Sequence, residues 1–200
     1  MKAKDNFDKA IKHIKRKGIE DLINWLETKT DFFIAPASTN FHGNYEGGLL
    51  EHSINVLRFA LHNFNLIVKE KPDLEYLRES VIICALFHDV CKTNFYKKEQ
   101  KWTKVAGQWK SYEGWIVNDD FPLGHGEKSV FLISKYIELT NAEAMAIRWH
   151  MGTTEPSVTV PNNPQYYSYN QAIDHPLVRL ISSADELAMT IEEARDLKNM

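Results

Sequence analysis

Residues 81–92 read VIICALFHDVCK, an unbroken apolar run that ends directly on His88, Asp89 and, one turn later, Lys92. A carboxylate at the end of such a run is costly to bury unless it is paired or coordinates a metal. The run belongs to a helical pattern that Pro72 and Asp73 start. The pattern passes through Leu77, Val81, Cys84, Ala85 and His88 to about Cys91. Two further histidine or aspartate positions share this setting. His150 closes AMAIRWH (144–150), and Asp185 lies between Leu180-Ile181 and Leu187-Ala188. Several buried charges in one chain point to a shared partner.

Working outward, helical patterns fill most of the chain. Leu49 to Lys69 carries one stripe of Leu49, Leu50, Ser53, Leu57, Ala60, Leu61 and Phe64. Lys2 to Lys29 repeats apolar residues at helical spacing, with Gly18 as a break between two helices. Helical patterns also cover Gly124 to Leu139, Ala142 to His150 and Pro176 to Leu197. Residues 31–48 carry Pro36, Asn40, Gly43, Asn44, Gly47 and Gly48 and read as a loop. Thr153 to Ile173, with Pro156, Pro161 and Pro164, also reads as a loop. Near residues 95–118 the chain turns rich in Lys, Trp and Tyr. KWTKVAGQWKSYEGWIV (101–117) reads as either a short β-hairpin or a long excursion. The expectation is an all-α fold of about six or seven helices, with that hairpin as its one insert.

Bulk properties exclude several classes. The 200 residues bury a sizeable core without staples, and one domain over 1–200 is the expectation. Within it, an N-terminal helical extension covers 1–40 and a metal-binding core covers 42–190. The formal net charge of −3 argues against a globally basic nucleic-acid binder. Cys84 and Cys91 sit seven apart, with neither CxxC spacing nor a disulfide framework, and read as small buried hydrophobes. The charged N-terminus lacks the apolar region of a signal peptide, and no apolar run approaches the roughly 18 residues of a membrane span. The expected location is cytoplasmic.

Four histidines and two aspartates fall in helical segments in the order His52, His88-Asp89, His125, His150, Asp185. Imidazole nitrogen with carboxylate oxygen suits Mn, Fe, Co, Ni, Zn or, with more oxygen, Mg. An adjacent His-Asp pair on a helix points its side chains about 100° apart, so both reach one ion only if the helix passes beside it. Neighbouring helices then supply the remaining ligands. Taken singly, each residue has a plainer reading: a lone His is usually just hydrogen-bonded, and Asp185 after Ser182-Ser183 could cap a helix.

The ordered set resembles the HD superfamily of metal-dependent phosphohydrolases. GGLLEHSINVLRFA (47–60) is similar to the helix that carries the family's first His. ALFHDVCK (85–92) resembles its HDxxK stretch. LGHGEKS (123–129) and RWHMG (148–152) resemble the two further His motifs, and ISSADELA (181–188) the last Asp helix. The GGLLEH opening is most similar to HD domains of certain 3′–5′ exoribonucleases, although 200 residues leave no room for their separate nucleic-acid-binding domain. The resemblance implies an HD-type helical bundle. It implies a first metal on His52, His88, Asp89 and Asp185. Asp89 would bridge to a second metal on His125 and His150. It also implies hydrolysis of a phosphoester or phosphoanhydride bond by metal-activated hydroxide, with Asp89 and Lys92 in catalytic roles.

Other residues near these motifs have two readings each. Lys92 could meet a substrate phosphate or simply favour a helix C-terminus. Glu127 and Arg148 read mainly as an ion-pairing set, and His42 and Tyr45 sit in a loop that could approach the site. His13, His62 and His175 read as surface or capping residues. The aromatic-basic insert, with Lys97, Lys98, Lys101, Trp102, Lys104, Trp109, Lys110 and Trp115, either stacks bases and attracts phosphates or pins a long loop to the core. Tyr166, Tyr167 and Tyr169 invite the same pair of readings. The expected partner is a small phosphorylated substrate, a nucleotide first, with nucleic acid as an alternative and no membrane. The rival functions are a single-strand nuclease or phosphodiesterase, an HD-fold di-iron oxygenase, and a non-catalytic nucleotide-binding module.

Overall fold

The computed structural model describes residues 2–197, with side chains as far as residue 194; Met1 and residues 198–200 lie outside it. Eight α-helices and one hairpin follow in the order α1 (Lys2–Ile11), α2 (Ile19–Lys29), α3 (Gly48–Glu70), α4 (Arg78–Phe87), β1 (Tyr96–Val105), β2 (Gln108–Val117), α5 (His125–Ile133), α6 (Asn141–Arg148), α7 (Pro164–Ala172) and α8 (Pro176–Leu197). The apolar run explains its own position. Every residue of α4 from Ser80 to Phe87 is buried, so α4 runs through the middle of the bundle. The longer α3 packs along both α4 and α8, and α6 packs on α8 and α5.

Three boundaries differ from the sequence expectation. The helix expected from Pro72 to about Cys91 is a 3-10 segment over Pro72–Leu77 followed by α4, and the backbone leaves helical geometry at Asp89 (φ −105°, ψ 18°). Cys91 therefore lies beyond the helix that holds Cys84. The helix expected to reach Leu139 ends at Ile133. The supposed loop 153–173 contains α7, which brings the α-helices to eight among the described residues. Pro164 signalled a loop, yet proline at the first helical position fits there, and Asn163 caps it by accepting from Gln165 N–H at 3.0 Å.

The Lys/Trp segment is an antiparallel hairpin, in register from Tyr96↔Val117 to Val105↔Gln108. Its two-residue turn, Ala106-Gly107, has both φ values positive (51° and 82°), the sign that matches strand twist.

Glu143 ties the N-terminal helices to the bundle. It is fully buried and receives Arg16 through both carboxylate oxygens, at 2.8 and 3.0 Å. The Ser80 hydroxyl donates to it at 2.7 Å, and Glu143 completes a capping box with Thr140 at the start of α6. Burial alone would raise its pKa, but Arg16, Thr140 and Ser80 together hold it below the ordinary glutamate value. A depressed folded pKa stabilises the fold above the unfolded value near 4.3, and that stability is lost as pH falls through the folded value. We expect Glu143→Gln to destabilise the protein by about 2 kcal/mol at neutral pH, the scale of hydrogen bonds to a charged group. In urea melts the gap to wild type should close as pH falls below about 4.3. A gap that stays constant with pH would show that the carboxylate charge contributes nothing.

Candidate metal centre

Six side chains converge at the C-terminal end of α4. His52 comes from the second turn of α3, His88 and Asp89 from the turn that follows α4, and His125 opens α5. His150 follows α6, and Asp185 lies midway along α8. Five of the six are at most 2% exposed; the His125 side chain, 34% exposed, stands at the mouth.

Asp89 occupies the centre, and its two oxygens face different partners. Oδ1 lies 2.8 Å from His125 Nε2 and 3.4 Å from His150 Nε2. Oδ2 lies 3.6 Å from His52 Nε2, 3.5 Å from His88 Nε2 and 2.7 Å from Lys92 Nζ. Asp185 Oδ1 joins the second group, 3.0 Å from His52 Nε2 and 3.9 Å from His88 Nε2.

All four histidines present Nε2 to this centre because Nδ1 is held elsewhere. His88 Nδ1–H donates to the Ala85 carbonyl at 2.9 Å, and His150 Nδ1–H to the Ile147 carbonyl at 2.7 Å. His52 Nδ1–H donates to Glu192 at 3.1 Å, and His125 Nδ1 lies 3.3 Å from Cys91 Sγ. Anchors of this kind orient an imidazole and free its other nitrogen as a ligand.

The inward atoms fit a metal. Asp89 Oδ1, Asp185 Oδ1, His125 Nε2 and His150 Nε2 are buried without a hydrogen-bond partner among the described residues, because their short mutual contacts lack hydrogen-bond geometry. Orphaned atoms in a folded interior need an explanation, and a cation shared among them supplies one. Among the described residues, four sets of donor atoms lie close enough to hold an ion: His52, His88 and Asp89; His88, His150 and Asp185; Asp89, His125 and His150; and, on the outer side of His52, His42, His52 and Glu192.

The electrostatics agree. Burial alone would raise both aspartates. Instead Lys92 and His88 hold Asp89 well below the usual carboxylate range, and His52 does the same for Asp185. Burial would lower His52, but Asp185 and Glu192 raise it to about 9. Burial pushes His88 down, the direction that favours the neutral imidazole through which histidine coordinates metals.

Two close backbone approaches set this geometry. A Cβ at Gly126 would meet the Arg148 carbonyl oxygen at 2.2 Å, so glycine lets the start of α5 rest on the end of α6. That contact brings the His125 and His150 rings to 5.1 Å. A Cβ at Gly48 would meet the Gly43 carbonyl oxygen at 2.0 Å, so the loop before α3 lies tight on that helix. His42 thereby stands 4.9 Å from the His52 ring, buried. A cavity of about 250 Å³ opens on the centre, lined by His42, His52, Asp89, Lys92, Tyr96 and His125 among others.

Lys92 therefore lies in the site, its side chain 12% exposed and paired with Asp89. His42 approaches the site too, while Tyr45 lines an outer groove against the hairpin. Glu127 and Arg148 pair with each other, and Arg148 also grips Glu155 at 2.8 and 3.1 Å. His13 and His62 are exposed, and His175 Nδ1 accepts from Leu177 N–H at the start of α8. Tyr169 packs on Trp149, the structural reading of its cluster. Sequence reasoning missed Glu192, Cys91 and Tyr96. Glu192 carried a signal: it lies seven residues, two helical turns, after Asp185 and so shares its face of α8.

Comparison with known proteins agrees with this geometry. The chain matches the HD domain family over residues 49–190. A 66-residue stretch is 44% identical to the dihydroneopterin 2′,3′-cyclic phosphate phosphodiesterase of Methanocaldococcus jannaschii. That stretch is 32% of this chain and covers 26% of the relative's length. No solved structure matches. No helix among the described residues is long and apolar enough to cross a membrane. With the family match spanning all six converging residues, the chain belongs to the HD-domain family.

Proposed function

We propose that this protein hydrolyses a phosphate ester of a nucleotide-type substrate at a two-ion centre. One observation carries the reading: the two oxygens of the buried Asp89 face two separate sets of imidazole nitrogens. On this reading His52, His88, Asp89 and Asp185 hold one ion, and Asp89, His125 and His150 hold the other. Mn, Fe, Co, Ni, Zn and Mg are all compatible with this donor set. Divalent cations, when bound, supply Lewis acidity at the phosphoryl oxygens and lower the pKa of water.

The remaining work falls to the chain itself. The Nδ1 anchors keep four Nε2 atoms aimed inward, so little reorganisation accompanies ion uptake. Lys92 places a cation on the cavity wall, where it attracts the phosphate and aligns it beside Asp89. Tyr96, also on that wall, keeps its hydroxyl proton, since burial pushes its pKa to about 12. It can therefore donate to a phosphate oxygen or a sugar hydroxyl. The cavity, about 250 Å³, suits a phosphate with part of its nucleoside. The named substrate of the partial relative, a 2′,3′-cyclic phosphate, supports a small phosphodiester as the bond cleaved.

Three outcomes test this. Asp89→Ala should lose bound metal and hydrolysis of bis(p-nitrophenyl) phosphate together; full metal content in that variant would sink the reading. Glu192→Gln, which loosens the anchor on His52, should lower metal affinity or activity about 10- to 100-fold. Elemental analysis after reconstitution should give two ions per wild-type chain and one after replacing both His125 and His150 by alanine. A wild type that stays at one ion rejects the two-ion centre.

A further inference from the structure

The hairpin β1–β2 meets the site at its base, where Tyr96 and Val117 line the cavity. Side chains at alternate pairs of an antiparallel ladder share a face. The face that starts with Tyr96 and Val117 therefore continues through Lys98 and Trp115, then Gln100 and Glu113, and ends with Trp102, Ser111, Lys104 and Trp109. Lys98 Nζ lies 5.2 Å from the Trp115 ring and Lys104 Nζ 5.5 Å from the Trp109 ring, which agrees with that assignment.

We propose that this face is a track for single-stranded nucleic acid that leads the end of the strand into the cavity. What happens at that end rests on the phosphohydrolase reading; binding along the track does not. Three observations carry it. Trp102 and Trp109 are each 64% exposed, so they do not pin the hairpin to the core. Exposed indoles at successive positions are stacking platforms that any base can use. Charge is complementary as well. Lys98 and Lys104 lie on this face against Glu113, and residues 96–117 as a whole hold five lysines against two glutamates, on a chain whose formal total is −3. Lys98 lies near the base of the track, beside Glu46 and Glu113 at 2.9 and 3.5 Å, and Lys104 near its tip. The third observation is continuity. From Tyr96 to Lys104 the track runs about 27 Å at roughly 3.4 Å per residue, beginning at the cavity. A mononucleotide would fill the cavity alone and leave this surface unused. A strand several nucleotides long would use both.

The test is binding of fluorescein-labelled decathymidylate to the full chain by anisotropy, with thymidine monophosphate as competitor. We expect the decamer to bind at least ten-fold more tightly than the monophosphate. Trp102→Ala and Trp109→Ala should each weaken it about 5- to 150-fold, the range for loss of one base–aromatic stack. Affinity should also fall with salt, with a log–log slope of about −2 if three phosphates are engaged. Helical circular dichroism and metal content should stay at wild type in both variants, because both indoles lie outside the core. Decamer binding no tighter than the monophosphate, or variants that bind like wild type, would overturn the track. So would tryptophan-dependent binding to anionic lipid vesicles without oligonucleotide binding. A chain that cleaves bis(p-nitrophenyl) phosphate but ignores the decamer loses only the track. A chain that binds the decamer through these indoles and cleaves neither loses only the hydrolase reading.

Discussion

The structure turns on one buried carboxylate. Asp89 sits at the end of a helix that is buried on every side, and is itself 1% exposed. An isolated carboxylate in such a place would take up a proton. Asp89 stays ionised because Lys92 and a set of imidazoles surround it. The imidazoles beyond His88 arrive from three other parts of the chain, α3, α5 and the end of α6, while α8 brings Asp185 and Glu192 to hold His52. The fold can be described as the arrangement of helices that delivers positive or polarisable partners to this one point.

The same constraint explains the small residues nearby. Gly126 and Gly48 remove a Cβ at the two places where backbones must touch for His125 and His42 to reach the centre. It also explains the anchors. A histidine with both ring nitrogens free would rotate and exchange tautomers. Here backbone carbonyls, Glu192 and Cys91 hold one nitrogen of each ring. The ring that opens to the surface, His125, is anchored by a thiol that burial keeps protonated, its pKa pushed up to about 12.

A second level of organisation lies outside the centre. Glu143 gathers Arg16, Ser80 and Thr140 and thus couples the N-terminal helices to α4 and α6, the helices that end at Asp89 and His150. The hairpin is attached at its base, where Asn94 and Asp31 exchange backbone-to-side-chain hydrogen bonds at 2.6 and 3.1 Å. Its outer half extends into solvent and carries indoles and lysines instead of core contacts. Rigid centre and projecting hairpin meet at Tyr96.

Much of this was legible in the chain. Apolar runs that end on His88-Asp89 and on His150 signalled buried charge in need of partners, and helical periodicity located α3 and α8 within a residue or two and the middle of α4, though not its ends. Those signals are local, set by side-chain spacing and the cost of burying charge. Other features depended on contacts distant in sequence. Whether the Lys/Trp segment was a hairpin, and whether its indoles packed inward or faced solvent, depended on where the loop before α3 lay. Helix α7 was hidden because it has no apolar stripe and opens with a proline. Glu192 lies 140 residues from the histidine it holds, and no spacing rule links the two. The sequence by itself determined which residues could not be buried alone. Only the tertiary structure decided which of them meet, because that choice rests on backbone contacts at glycines and on helix packing rather than on any local pattern.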